Sequence, residues 1–341
     1  MEADPELIAV IGKELQAARR ILVVSHIRPD GDAVGSLLGL GLCLLAAGKQ
    51  VEMVLSDGVP ANFRFLPRHE LIKKRAEGSF DYRIVVDASE LKRVGRALEG
   101  QAPVDLNIDH HITNEYFGKR NLVLSDAAAT AEILARYLPE LGLSISSEAA
   151  SALLTGMVTD TIGFRTRNVT PDVLRVAAGL MDRGANLADV YYSSLVARSF
   201  EAAQFWGYGL NRVQMDDGIV WTSLTLADRS MTGYPGRDDA DLINMLSAID
   251  GAEIAIIFVE QSAERVKISW RLCGQAEINA DVAVIAQQFG GGGHRAAAGA
   301  DVNGTLENVC RKVLTATASY IDKLRNEQAI PAASLTLINR E

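Results

Sequence analysis

The sequence predicts an α/β protein in two units, a parallel sheet with helices on both faces followed by a smaller α+β domain. Three observations carry that expectation. The first half alternates short β-branched runs with helical patterns, as parallel strands joined by crossover helices do. The second half changes character, with three longer strands and three helices out of strict alternation. At 341 residues the chain also exceeds what one ordinary core encloses. In order, residues 21–25 read as a strand and 33–47 as a helix, and strands follow at 51–55, 82–86, 104–108 and 122–124. Helices are expected at 130–137, 147–158 and 171–183, and a connecting helix at 191–209. The second unit has strands at 219–226, 253–260 and 265–272 and helices at 239–248, 280–289 and 306–324. The expected boundaries are 1–188 for the first domain, 189–209 for the connection, 210–326 for the second domain and 327–341 for a tail.

Composition narrows the function classes. With 48% hydrophobic and 23% charged residues the chain is an ordinary globular protein. Its longest apolar stretch, 33–47, holds three glycines and is too short for a membrane span, so it reads as a buried helix. Cys43, Cys273 and Cys310 are far apart, lack zinc-ligand spacing and form no even disulfide framework, which points to a reducing cytoplasm. The start Met1-Glu2-Ala3-Asp4-Pro5-Glu6 is acidic, unlike a signal peptide. A net charge of −9 argues against coating of double-stranded DNA. It leaves room for a short nucleotide, because bound cations reverse the local sign.

Four of the five histidines fall in three short segments: His26 to Asp32, Asp109-His110-His111, and Gly290 to His294. The first two, with Asp87, follow strand ends, where open parallel sheets bind their ligands. Each segment has a plain structural reading when taken alone. Pro29-Asp30-Gly31 makes a turn with Asp32 as a helix cap, Asp87 makes another cap, and Asp160 stands at a helix terminus. Several independent caps do not account for three histidines at strand ends. Mixed carboxylate and imidazole clusters without thiolate suit Mn²⁺ or Mg²⁺ better than structural zinc.

The motifs His26-x3-Asp30-x-Asp32-Ala33, Val85-Val86-Asp87, Asn107-Ile108-Asp109-His110-His111 and Gly156-Met157-Val158-Thr159-Asp160-Thr161 come in one order along the chain. Asn114, Phe117-Gly118 and Ala129-Thr130-Ala131-Glu132 accompany them. As a set they resemble the DHH phosphoesterases. The resemblance implies two divalent ions, usually manganese, one held by His26, Asp30 and Asp87 and the other by Asp32, His110 and Asp160. Asp87 would bridge both, Asp109 would orient its neighbours and His111 would face the scissile phosphate. Two such cations, about 3.5–4 Å apart, lower the pKa of a water and hold phosphoryl oxygens for in-line attack. One departure is Ile162 between Asp160-Thr161 and Gly163, where many relatives place glycine, so no role is carried to Phe164 or Arg165.

Phe289-Gly290-Gly291-Gly292-Gly293-His294-Arg295 follows a helical pattern. Alone it reads as a flexible glycine turn; glycines also let backbone N–H groups approach an anion closely. It resembles the Gly-Gly-Gly-His motif of the DHH-associated C-terminal domain. That implies that Gly291, Gly292, Gly293 and His294 grip the far phosphate of a substrate, with Arg271 on a nearby strand as a second contact. A phosphate reader apart from the hydrolytic site favours a substrate of a few nucleotides, attacked at an end. The resemblance therefore implies hydrolysis of short single-stranded RNA and of 3′-phosphoadenosine 5′-phosphate, with no membrane partner, and with a homodimer as an assembly to test. Hydrolysis of cyclic di-adenylate or linear di-adenylate is the alternative, and a catalytically silent nucleotide sensor is a third reading from a different class.

Overall fold

The computed structural model describes residues 2–101, 103–274, 276 and 278–329, with only the backbone of His294 and of 327–329. Of the expected tail, 327–341, the backbone of 327–329 continues the last helix, and 330–341 lie outside the described residues. The chain divides into two compact units between Ala197 and Arg198.

The first unit runs α1 (Pro5–Ala17), β1 (Arg20–Val24), α2 (Gly31–Ala46), β2 (Gln50–Val54), β3 (Ile72–Lys73), β4 (Tyr82–Val86), β5 (Leu106–Asp109) and β6 (Arg120–Val123), then α3 (Thr130–Tyr137), α4 (Ser147–Asp160), α5 (Pro171–Asp182) and α6 (Leu187–Tyr191). The strands form one sheet in the order β3-β2-β1-β4-β5-β6, and every pairing is parallel. The order reverses direction between β1 and β4, the switch point at which doubly wound sheets open a crevice beyond their carboxyl ends.

Both faces of the sheet are buried, as strand alternation requires. Ile21, Val23, Ile84 and Val86 join the core made with α1 to α4. Leu22, Val24 and Val85 face the other way, onto Val94 and Ala97 of a 3₁₀ segment, Leu91–Leu98. The two layers are unequal, thick α-helices on one side and a thin 3₁₀ turn on the other.

The apolar run 33–47 is indeed a buried helix, α2, whose residues are enclosed from Gly31 to Leu44. It lies so close to α4 that a Cβ on Gly35 would stand 2.4 Å from the Ala152 carbonyl oxygen. A Cβ on Gly156 would stand 2.6 Å from Asp32 Oδ1. The close approach sets the end of α4, with Asp160, beside the first turn of α2, with Asp32.

The expected helix at 191–209 is broken. One π turn, Tyr192–Val196, follows α6, residues 197–199 are not helical, and α7 (Phe200–Leu210) starts anew on a Ser199 cap that accepts from Ala202 N at 3.1 Å. Phe205 of α7 belongs to the core of the second unit. That unit continues β7 (Gln214–Asp216), β8 (Ile219–Leu224), α8 (Leu226–Thr232), α9 (Leu242–Leu246), β9 (Ile254–Ser262), β10 (Arg265–Leu272), α10 (Val282–Gln288), β11 (Gly292–His294), β12 (Ala297–Asn303) and α11 (Leu306–Ala329). Its sheet has the order β11-β12-β10-β9-β8-β7, with β8 and β9 parallel and the other pairs antiparallel. Ile256, Phe258, Ile268 and Trp270 face α10 and α11, whereas Ala255, Ile257 and Val259 face α7 and α9. Among the described residues no helix is long and apolar enough to cross a membrane.

Candidate metal centre

At the switch point of the first sheet, the turns after β1 and β4 face each other. His26 follows β1, is 3% exposed, and its Nδ1 lies 2.8 Å from the Ile27 carbonyl oxygen. Donating there fixes the tautomer and leaves Nε2 toward the crevice, 3.5 Å from Asp87 Oδ2 and 3.8 Å from Asp30 Oδ1. Asp30, not Asp32, caps α2, accepting from the Asp32 and Ala33 amides at 3.1 and 3.0 Å. Asp32 sits in the first turn, where the Thr130 amide (2.6 Å), the Ala131 amide (3.0 Å) and Ser36 Oγ (3.1 Å) donate to it.

Asp87 follows β4 with φ 56°, a left-handed conformation that aspartate tolerates better than most side chains. It is 2% exposed, and Thr130 Oγ1 donates to its Oδ1 at 3.1 Å. His110 follows β5. Its Nδ1 is 3.3 Å from the Ala127 carbonyl oxygen, and its Nε2 is 3.6 Å from Asp160 Oδ2, 3.8 Å from Asp87 Oδ1 and 4.0 Å from Asp32 Oδ2. Asp160 is the last residue of α4. A carboxylate at a helix C-terminus opposes the helix dipole, and nothing in helix formation calls for it.

The ligand atoms of His26, Asp30 and Asp87 lie within 4.8 Å of one another, as do those of Asp32, His110 and Asp160. Asp87, His110 and His111 make a third such group. Asp109, at the end of β5, is fully buried and accepts from His111 Nδ1 at 2.6 Å and from Asn114 Nδ2 at 2.6 Å. The residues singled out in the first unit thus share one crevice. Asp30 (side chain 62% exposed) and Asp160 (33%) stand at its open side, and Asp32 and Asp87 (1% and 2%) at its floor. Beyond the sequence expectation, Thr130 ties α3 to Asp87. The signal for it was the Ala129-Thr130-Ala131-Glu132 match, which placed the residue without its partner.

The electrostatics of the crevice suit a cation. Burial opposes a charge on His26, yet hydrogen bonding to Asp30 and Asp87 and their charges raise its pKa to about 10. Burial acts the same way on His110, but the charges of Asp160, Asp32 and Asp87 raise it to about 9. Burial raises Asp160 to about 6 against the pull of His110. Burial also pushes Asp32 well up, helped by the charges of Asp87 and Asp160. Burial would do the same to Asp87, but the His26 hydrogen bond and the charges of His111, His26 and His110 outweigh it and hold Asp87 well below the carboxylate range. The carboxylates of the crevice are therefore offset in part by protons on His26 and His110, whose Nε2 atoms face them, and in part by the upward shift of Asp32 and Asp160. A divalent cation fits this donor set and would displace those protons.

A pH dependence follows. His26 and His110, whose folded pKa values exceed the unfolded value of 6.5, stabilise the metal-free fold fully below about pH 6.5 and lose that contribution as pH rises through 9–10. Metal-stripped protein should melt at progressively lower temperature from pH 7 to 10, and the melting shift produced by Mn²⁺ should grow over the same range. At pH 7, calorimetry in buffers of different ionisation enthalpy should show at least two protons released per chain on loading. Loading without proton release would remove both histidines from the ligand set.

In the second unit, Arg271 of β10 pairs with Ala297 of β12, which pairs with His294 of β11, so the three lie in one row across neighbouring strands. The glycine segment corrects the expectation of a turn: Gly292–His294 is an edge strand. A Cβ on Gly291 would stand 2.1 Å from the Gly299 carbonyl oxygen, and one on Gly293 2.4 Å from that of Ala297, so their lack of a side chain lets β11 sit against β12. Gly292 meets nothing within 4 Å. The His294 side chain lies outside the described atoms. The Asp160-Thr161-Ile162-Gly163-Phe164 turn takes Ile162 and Phe164 to φ 50° and 64°, strained for both side chains.

A doubly wound sheet whose switch-point crevice gathers four carboxylates and two imidazoles defines an α/β protein with a site suited to divalent cations. The family model for the DHH family, N-terminal domain, matches residues 20–157, and that for the DHHA1 domain matches 231–335. Over 323 residues the chain is 34% identical to the bifunctional oligoribonuclease and PAP phosphatase NrnA of Thermus thermophilus, covering 93% of this chain and 94% of that protein. The chain belongs to the DHH family, with a DHHA1 domain behind the DHH domain. It is 25% identical to the protein of the same description from Bacillus subtilis, over 83% of this chain and 89% of that one. Among solved structures, an exopolyphosphatase-related protein of Bacteroides fragilis superposes with a TM-score of 0.86 at 25% identity, over 94% of this chain and 98% of that one.

Proposed function

We propose that the chain is a phosphoesterase that trims short oligoribonucleotides from an end and removes the 3′-phosphate of 3′-phosphoadenosine 5′-phosphate (PAP). The observation that carries the reading is the crevice of His26, Asp30, Asp32, Asp87, His110 and Asp160, with Asp109 and His111 behind it. Both activities stand in the name of the relative that matches over nearly the whole chain. When bound, two divalent ions, Mn²⁺ or Mg²⁺, supply Lewis-acid charge and lower the pKa of water. His26, Asp30 and Asp87 would hold one, Asp32, His110 and Asp160 the other, and Asp87 would serve both.

The chain's own groups do the rest. Asp109 takes the Nδ1 proton of His111 in a hydrogen bond and so assigns proton exchange with a phosphate or leaving oxygen to Nε2. Thr130 and the amides of Thr130 and Ala131 hold Asp87 and Asp32 against rotation. In the second domain, 210–326, Arg271, Gly291, Gly292, Gly293 and His294 would take the substrate's far phosphate. The working compartment of such an enzyme is the cytoplasm.

Side-by-side initial rates with Mn²⁺ on PAP, a five-nucleotide RNA, linear di-adenylate and cyclic di-adenylate test the reading. Turnover of the first two with little on the cyclic compound is expected. Preference for cyclic di-adenylate would assign the same centre to a cyclic-dinucleotide phosphodiesterase, and no turnover of any would leave a sensor. The glycine strand has its own test. Gly292→Ala has room to fold normally and should raise KM for PAP with metal content unchanged, whereas Gly291→Ala should cost about 1–3 kcal/mol through its backbone clash. A Gly292→Ala enzyme with unaltered KM would remove that backbone from substrate binding.

A further inference from the structure

Beside the metal crevice, on the first unit, is a hollow of about 410 Å³ lined by Ile27, Ser56, Lys74, Arg75, Gly95 and Arg96. Its wall is one peptide away from the metal cluster. Ile27 follows His26 directly, accepts from its ring, and donates its own amide to the Arg93 carbonyl oxygen at 2.7 Å. Gly95, at φ 64°, lets the 3₁₀ segment settle on that turn, since a Cβ there would stand 2.5 Å from Ile27 Cγ2.

Three cations, Lys74, Arg75 and Arg96, and one carboxylate, Asp57, line the hollow. Some neighbouring cations are paired: Lys73 with Glu52 and Glu77, Arg20 with Glu52, Lys92 with Glu90. Lys74, Arg75 and Arg96 make no ion pair among the described residues. Asp57, also at the rim, accepts from the Arg28 amide at 2.6 Å and stands beyond ion-pair distance of all three. Ser56 adds a buried Oγ without a hydrogen-bond partner among the described residues. Three spare cations and an unsatisfied hydroxyl around one hollow match the oxygens of a phosphate, and the volume accommodates a nucleotide.

Resting on the phosphoesterase reading, we propose that this hollow is a second phosphate subsite on the catalytic unit. It holds a backbone phosphate of an oligonucleotide beyond the two phosphates that PAP carries. The subsite makes the enzyme's affinity grow with chain length and leaves hydrolysis itself untouched.

The test compares wild type with Lys74→Gln/Arg75→Gln/Arg96→Gln, three substitutions at exposed positions, with Mn²⁺ loaded. For a five-nucleotide RNA, KM should rise about tenfold with kcat within about twofold, and for PAP both constants should stay within about twofold. The slope of log KM against log salt for the RNA should become shallower by about 0.7 per lost phosphate contact, a change that a packing role does not produce. Unchanged KM for the RNA, an equal rise for both substrates, or a fall in kcat with loss of manganese would each overturn the assignment. If wild type turns over neither substrate, the phosphoesterase reading fails by itself. Calorimetry with inorganic phosphate then decides the subsite: weaker binding by the triple variant keeps it, equal binding removes it.

Discussion

Asp87→Ala should cut manganese content below about one-tenth of wild type and turnover by about a thousandfold or more. The carboxylate is the one residue present in the group with His26 and Asp30 and in the group with His110 and His111, and its Oδ1 is also 3.8 Å from the imidazole that completes the Asp32–Asp160 group. Its position is over-determined, by the amide hydrogen bond to the Ile108 carbonyl oxygen at 2.9 Å and by Thr130 Oγ1. Alanine at φ 56° adds about 1–2 kcal/mol of backbone strain, so Asp87→Asn, which tolerates that conformation, is the necessary companion. The asparagine keeps shape and conformation and loses the charge. Metal analysis, initial rates and melting of both variants separate the effects. If both fold and retain near-normal metal and turnover, Asp87 is a turn residue and the proposed centre is wrong. Thr130→Val should fall between, lowering metal affinity about tenfold by freeing the carboxylate to rotate.

Much of this geometry was legible in the sequence because it follows from periodicity. Parallel strands with buried faces read as β-branched runs, and the residues after them necessarily point into the crevice. His26, Asp87 and Asp109 could be placed for that reason. The grouping of Asp160 with Asp32 needed more, since it depends on Gly35 and Gly156 letting two helices touch, a contact that no local pattern announces. What escaped was tertiary or too short to leave a pattern. Two- and three-residue edge strands such as Ile72–Lys73 and Gln214–Asp216 carry no readable alternation. Gly292–His294 has low strand propensity and is held by its fit against β12. The break at 197–199 has no proline, and its nearest local sign is the Ser199 cap. The left-handed turn at Asp87 is imposed by neighbours on a residue whose preference does not demand it.

The second large effect concerns a residue that touches no cation in the proposed centre. Asp109→Asn should lower kcat by about a hundredfold or more and leave metal content close to wild type. Both oxygens of the buried Asp109 are engaged, Oδ1 with His111 Nδ1 and Oδ2 with Asn114 Nδ2. An asparagine can keep only one of these bonds. If its oxygen faces His111, its NH₂ confronts the NH₂ of Asn114. Asn114 cannot flip to accept, because its Oδ1 already takes protons from Asn107 Nδ2 at 3.1 Å and the Tyr116 amide at 2.7 Å, and its Nδ2 also donates to the Ala88 carbonyl oxygen. If the oxygen instead faces Asn114, the NH₂ meets His111 Nδ1 and selects the tautomer protonated at Nε2, the reverse of the native one. The first arrangement leaves a buried donor unsatisfied, which costs about 1–3 kcal/mol of stability; the second keeps both contacts by reversing the tautomer of His111. The two can be told apart. A reversed histidine changes the pH profile of kcat and is visible as a change in the ¹⁵N resonances of His111, whereas a merely loosened fold lowers the melting temperature and leaves the profile's shape intact. A variant that melts lower but keeps wild-type kcat and pH profile would reduce Asp109 to a packing role and remove His111 from proton transfer.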